Sequence, residues 1–203
     1  MNEIVTPPAV EDAAWASINT PLSVAELTAF CRDIERLYRI NPMLEFQHFK
    51  ALGQQRYTCA GRNISQETPF EFDYTFTVKE LPDGLQVDYD QGIKSTTLIK
   101  IEPASQGSKL TITDFYERLP TEERQQHLPE VDKSLLVWAN YLQRYLVTWS
   151  RWSRLAPWRW YMRRIWQPMK PTARRITYAL LWISVVEIAL IALGVAIYFV
   201  EFR

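Results

Sequence analysis

The sequence predicts an α+β fold, an antiparallel sheet packed on a long helix, with one transmembrane helix appended. Three observations carry this. Six short runs rich in Thr, Ile, Val, Tyr and Phe follow one another between turn residues in the middle of the chain. One amphipathic helical stripe comes after them. Residues 176–200 then form an unbroken apolar stretch.

After a Pro-containing lead at 1–13, residues 14–18 (AWASI) suit a short first strand, and Asn19-Thr20-Pro21 turns the chain. Ser23 is a good N-cap, and Glu26 three residues later completes a capping box. Val24, Leu27, Phe30, Ile34, Leu37 and Tyr38 recur at helical spacing, so one helix is expected up to Asn41-Pro42.

The strand region opens with Phe46, His48 and Lys50 alternating with Gln47 and Phe49. Further strands are expected at 56–63, 69–81, 85–89, 94–102 and 109–116, with Pro82-Asp83-Gly84 as a turn. The clearest alternation sets Phe70, Phe72, Tyr74, Phe76 and Val78 against Glu71, Asp73, Thr75 and Thr77. One apolar and one polar face suit a half-buried sheet, and the short connections suit a consecutive antiparallel meander.

A long helix is expected over 129–155. Its apolar positions are Val131, Leu135, Trp138, Leu142, Tyr145, Trp149 and Trp152, alternately four and three residues apart. That spacing makes one continuous stripe. Its first half should lie across the sheet, while Trp149 and Trp152 run on towards the membrane.

Residues 176–200 read ITYALLWISVVEIALIALGVAIYFV, with Glu187 the one charge. At about 1.5 Å per residue this run exceeds the roughly 30 Å hydrocarbon core and leaves length for tilt. The run is too long and too apolar on all sides for a buried helix of a soluble domain. Only the tail 201–203 follows, so insertion after synthesis, as a tail anchor, is expected. Arg163, Arg164, Lys170, Arg174 and Arg175 precede the span and one Arg follows it, which predicts N-terminus in and C-terminus out. Tyr178, Trp182, Tyr198 and Phe199 suit the interfaces. Met1–Val10 lacks the basic and apolar regions of a signal peptide. The expected location is a bacterial inner membrane, single-pass, with the soluble domain cytoplasmic. A carboxylate at Glu187 costs about 2.5–3.5 kcal/mol mid-span on insertion scales. It either stays protonated against lipid or meets a donor on a membrane partner or a second copy of the chain.

Residues 1–133 hold 13 Lys/Arg against 21 Asp/Glu, whereas 134–186 hold nine basic residues and no acid. An anionic partner for the basic part is expected. Its centre, 156–175, overlaps the stretch RWSRLAPWRWYMRRIWQPMKP at 151–171. Here Trp158, Trp160 and Trp166 alternate with Arg159, Arg163 and Arg164, and Arg174 and Arg175 come soon after. Trp rings favour the headgroup level, and each basic residue contributes about 1 kcal/mol towards an anionic leaflet. The expected partner is membrane lipid. Nucleic acid suits the same composition but not a segment leading straight into a bilayer.

The helix PLSVAELTAFCRDIERLYRINP, the strand pair FEFDYTFTVKELPDGLQVDYD, and LTITDFYERLP leading into EVDKSLLVWANYLQRYL succeed one another in this order. Over 14–155 this resembles the START-like, or SRPBCC, superfamily of helix-grip lipid-transfer, polyketide cyclase and plant allergen proteins. The resemblance is one of pattern, with no diagnostic short motif, and an anchor departs from the commonest soluble members. It implies a cavity between sheet and long helix for an apolar or amphipathic small molecule. Tyr57, Phe70, Phe72, Tyr74, Phe76, Tyr89 and Trp138 are the candidate lining residues; the alternative is that these rings fill a core.

No catalytic constellation, metal-ligand spacing, phosphate loop or cofactor motif stands out. Cys31 and Cys59 read as small buried side chains in a reducing compartment, His48 as a strand residue and His127 as part of a polar linker. Glu122 and Glu123 suit a solvated face. Asp73 and Asp114 are strand acids that become a general acid or ligand anchor if they point into the cavity. Three functions compete: a membrane-tethered module binding a lipid, quinone or other apolar molecule, an accessory subunit docked through its membrane helix, and a cyclase-type enzyme.

Overall fold

The computed structural model describes residues 13–66, 68–118 and 121–201, with side chains outside 121–133. All but one residue of the expected lead, and most of the 201–203 tail, lie outside that set. Strand β1 (Ala13–Thr20) leads into helices α1 (Val24–Cys31) and α2 (Ile34–Arg39). Strands β2 (Leu44–Gly53), β3 (Arg56–Asn63), β4 (Phe70–Leu81), β5 (Gly84–Tyr89), β6 (Thr96–Pro103) and β7 (Ser108–Phe115) come next. Then come α3 (Thr121–Trp152), α4 (Ala156–Tyr161), a π-helical turn (Met162–Trp166) and α5 (Pro171–Glu201).

The strands form one antiparallel sheet in the order β1-β7-β6-β5-β4-β3-β2. The meander predicted from the sequence is present, and β1 adds to it beside β7. Inward residues alternate with outward ones, as a half-covered sheet requires: Phe72, Phe76 and Val78 are buried on β4 while Glu71 and Asp73 are exposed. Helix α3 covers the inner face with Leu135, Trp138, Leu142, Tyr145 and Leu146, all buried. Gln143 Nε2 on its flank donates to the Asn19 carbonyl of β1 at 3.1 Å.

Three expectations need correction. The helix expected from 24 to 38 is two helices. The capping box forms at Ser23 and Glu26, but Asp33 accepts from the Arg36 amide at 3.2 Å and starts α2 afresh. Strand β2 does not keep strict alternation. A bulge between Phe46 and His48 puts Phe46 and Phe49 on the same buried side. Gly61 lies opposite, where an added Cβ would sit 2.2 Å from the Glu45 carbonyl oxygen, so the two strands approach closely there. Helix α3 begins at Thr121 and ends at Trp152, so His127 is helical rather than in a linker. The side chains of Glu122, Glu123, His127 and Val131 lie outside the described residues.

The packed body continues past α3. The Arg36 guanidinium lies over the rings of Phe30 and Trp149, at 4.9 and 4.7 Å, and donates to Asp33 Oδ2 from Nε and Nη2 at 2.9 and 2.7 Å. Trp149 in turn meets Trp158 of α4 at 5.4 Å. Trp166 of the π turn meets Tyr145 at 5.4 Å, and Met162 is buried between these elements and the core. Helix α5 is the candidate membrane span among the described residues, and from 178 to 201 every residue is exposed.

Candidate ligand-binding site

Between the sheet and α3 lies a cavity of about 100 Å³. An engineered core cavity of about 150 Å³ takes up benzene or xenon, so this space suits one ring or a short chain segment. The apolar wall comes from strand parity on one side and the α3 stripe on the other. Phe72 and Tyr74 stack at 5.0 Å on β4, and Leu135 and Trp138 face them from α3. Trp138 is fixed by its Nε1–H, which donates to the Leu37 carbonyl of α2 at 3.3 Å. Tyr74 keeps its place because Gly92 has φ +98° and no side chain; an added Cβ would lie 2.7 Å from the Tyr74 ring.

Five of the seven expected lining residues, Phe70, Phe72, Tyr74, Tyr89 and Trp138, border the cavity. Phe76 and Tyr57 do not. Phe76 is fully buried and stacks on Tyr57 at 5.5 Å and on Tyr38 at 5.7 Å, filling the core behind the cavity. Of the two strand acids, Asp73 is exposed on the outer face and Asp114 is fully buried on the cavity wall.

Asp114, the strand acid expected to anchor a ligand should it point inward, is the centre of a polar network in which Tyr89 is the one expected lining residue. It accepts from Lys94 Nζ and Thr97 Oγ1, and from the Tyr116 hydroxyl at 3.4 Å. Tyr89 pairs with Thr97 Oγ1 at 3.3 Å and with the Tyr38 hydroxyl. A buried carboxylate is tolerable only when ion-paired and hydrogen-bonded, and this one is both. Burial holds the Tyr38 and Tyr89 hydroxyls well above their usual range, so both stay protonated. The cavity is therefore amphipathic: rings with Leu44, Leu135 and Ile93 on one side, hydroxyls and a Lys94–Asp114 pair on the other.

The eight expected membrane-interface residues divide in two. Trp160, Arg163, Arg164 and Arg175 are exposed. Trp158, Arg159, Trp166 and Arg174 are partly buried against the domain. Arg159 Nη1 donates to the Ser153 carbonyl at 2.7 Å, beyond the end of α3. Arg174 lies 3.9 Å over the Trp166 ring and donates to the carbonyls of Arg39, Trp166 and Gln167 at 2.7, 3.0 and 2.9 Å. Glu187 is exposed on α5. No group of acids, histidines and cysteines among the described residues has the arrangement of a metal site.

Solved structures share this architecture. A Thermus thermophilus protein, TTHA0849, superposes with a TM-score of 0.55 over 68% of this chain and 99% of its own, at 13% identity. The chain has the helix-grip fold. The di-domain ARO/CYC protein StfQ of the steffimycin biosynthetic pathway matches 68% of this chain with half of its own, 51%, at a TM-score of 0.52 and 10% identity. A Polyketide_cyc-like protein of Corynebacterium glutamicum is also similar, at 17% identity and a TM-score of 0.38, covering 71% of this chain and 96% of that one. Some of the structural neighbours are named as Polyketide_cyc-like or AHSA1-like proteins. No protein-family model and no curated protein matches the chain.

Proposed function

We propose that this chain is a membrane-tethered binding module. Its helix-grip domain takes a lipid, quinone or other apolar small molecule into the cavity, and α5 holds that domain at the cytoplasmic face of a bacterial inner membrane. The observation that carries the reading is the amphipathic cavity in a chain that also presents an exposed apolar helix of 31 residues. A tether of this kind raises the effective concentration of the domain beside its ligand's solvent. A cyclase-type enzyme needs an acid or base whose reactive atom faces the substrate. Asp114 already accepts from Lys94, Thr97 and Tyr116, which favours a binding role.

Native mass spectrometry of the full chain, released from mild detergent, tests this. The expected spectrum carries a retained mass of lipid or quinone size, and Trp138→Phe lowers its occupancy. Only empty protein, across detergents, contradicts the reading.

One observation favours a second reading. Glu187 stands exposed in the middle of α5, where a single-span helix offers it no partner. An accessory subunit docked through α5 on a membrane protein, or a homo-oligomer, would satisfy it. Mild-detergent pull-down decides: a co-purifying partner lost in Glu187→Leu supports this reading, and a chain running alone in both forms removes it.

A further inference from the structure

The cavity has a second boundary, which faces the start of α5. Leu44 and Phe46, at the opening of β2, line the cavity on one side. On the other side they line a small cleft of about 10 Å³, closed by Pro168, Met169, Pro171 and Arg174. The same two side chains therefore separate the interior of the domain from the root of the apolar helix. Their local fold suits a gate. Leu44 is only partly buried, and the bulge after Phe46 interrupts the ladder of an edge strand.

The cleft is held against α5. Arg174 bonds to the Arg39 carbonyl of α2, and Thr172 Oγ1 donates to Glu45 Oε1 at 3.3 Å. Residue 174 precedes residue 176, where the apolar run starts, by about 3 Å of helix rise. If α5 enters a bilayer at 176, the cleft lies at the surface of that bilayer. Its charged lining is Arg39, Lys170 and Arg174; Glu45 reaches its edge through Thr172, and Glu35 is already paired with Arg39 at 2.7 Å. An anionic headgroup is attracted there, with the flexible thioether of Met169 below it.

We propose that the cavity is filled from the bilayer, not from water: one acyl chain of an anionic phospholipid enters beside the root of α5 through a passage that Leu44 and Phe46 close. This rests on the binding-module reading and adds the route and the ligand class. The space available suits the end of one chain, with the headgroup left outside among the arginines.

The test uses the full chain in vesicles of phosphatidylcholine and phosphatidylglycerol, the latter carrying a photoactivatable diazirine on one acyl chain. Peptide mapping after illumination reads where the chain goes. The wild type is expected to be labelled both at the cleft, on Met169, and in the cavity, on Phe72 or Trp138. Leu44→Trp should lose the cavity label and keep the cleft label, whereas Leu44→Ala should gain cavity label. Cavity labelling at the wild-type level in both variants overturns the proposed route. Thermal unfolding shows whether Leu44→Trp is folded; if it is not, unchanged cavity labelling in Leu44→Ala alone overturns the route. A diazirine fatty acid supplied from water to detergent-solubilised protein separates the two claims. Label in the cavity from that source but not from vesicles keeps the binding module and removes the passage. Label from neither source removes both.

Discussion

Helices α3 and α5 are almost equal in length, 32 and 31 residues, and differ in every physical respect that matters. Helix α3 carries its apolar residues on one stripe and finds a sheet to bury them: Leu142 and Leu146 are fully buried. Helix α5 is apolar all round and buries almost nothing: Leu190 is 61% exposed and Val200 84%. The hydrophobic effect acts on both, but among the described residues α3 has a sheet to bury against and the apolar run of α5 has none. The comparison teaches that pattern, more than hydrophobicity, tells which solvent a helix is built for. A stripe asks for a core, and an unbroken cylinder asks for lipid.

The sharpest way to break that contrast is to truncate both helices by the same change. Leu142→Ala should destabilise the domain by about 2–5 kcal/mol, because it removes buried contacts and leaves a cavity. Leu190→Ala should leave the unfolding midpoint of the domain unchanged. Equal effects in denaturant titrations would show that α5 packs on protein.

The next effect concerns the junction of α1 and α2 with α3. Arg36→Ala should cost about 2–3 kcal/mol, since it removes a charge-assisted contact to Asp33 and two ring contacts. Thermal melts of the full chain measure it. An unchanged midpoint would mean that the Arg36 guanidinium does not hold α2 against Phe30 and Trp149.

A smaller effect is set by pH. Burial pushes the Cys31 and Cys59 thiols from 9.0 up to about 12, and burial raises Tyr38 and Tyr89 as well. The folded domain holds these protons while the unfolded chain releases them. Stability should therefore be complete below pH 9.0 and fall progressively as pH rises towards about 12. Urea melts across that window check the sign; a rise in stability would contradict the buried placement of these groups.

The smallest expected change is local. Arg174→Ala removes three carbonyl bonds and a ring contact at the root of α5. Amide exchange should quicken over 162–174 and stay as it was on β4. Faster exchange throughout would show that the clamp belongs to the core.

Much of this was legible in the sequence, and the rest was hidden for physical reasons. The β4 face, the capping box at Ser23 and the α3 stripe from Leu135 to Tyr145 are local patterns, and each appears where its spacing puts it. Trp149, expected to run on towards the membrane, instead packs on Arg36 and Trp158, and Trp152 is exposed. Strand parity puts Asp114, already named as a candidate anchor, in phase with Leu110 and Ile112, and it also puts Thr97, which was not named, in phase with Ile99 and Ile101. The fresh start at Asp33 and the bulge after Phe46 were not, because both depend on hydrogen bonds that a periodic pattern does not encode. Nor does periodicity tell a ring that lines a space from one that fills it. Phe72 and Phe76 sit on the same face of β4, and only the positions of Tyr38, Tyr57 and Trp138 separate their roles. The Trp/Arg stretch looked uniform in sequence, whereas folding divides it: Trp166 and Arg174 turn to the domain, and Trp160, Arg163 and Arg164 stay outside.

The central claim is that the bare cylinder of α5 is solvated by lipid. Membranes from cells expressing the full chain, washed in alkaline carbonate and spun at high speed, test it most directly. The account predicts that the full chain stays in the pellet and that a chain ending at residue 170 moves to the supernatant. Recovery of the full chain as a monodisperse monomer in detergent-free supernatant would contradict it.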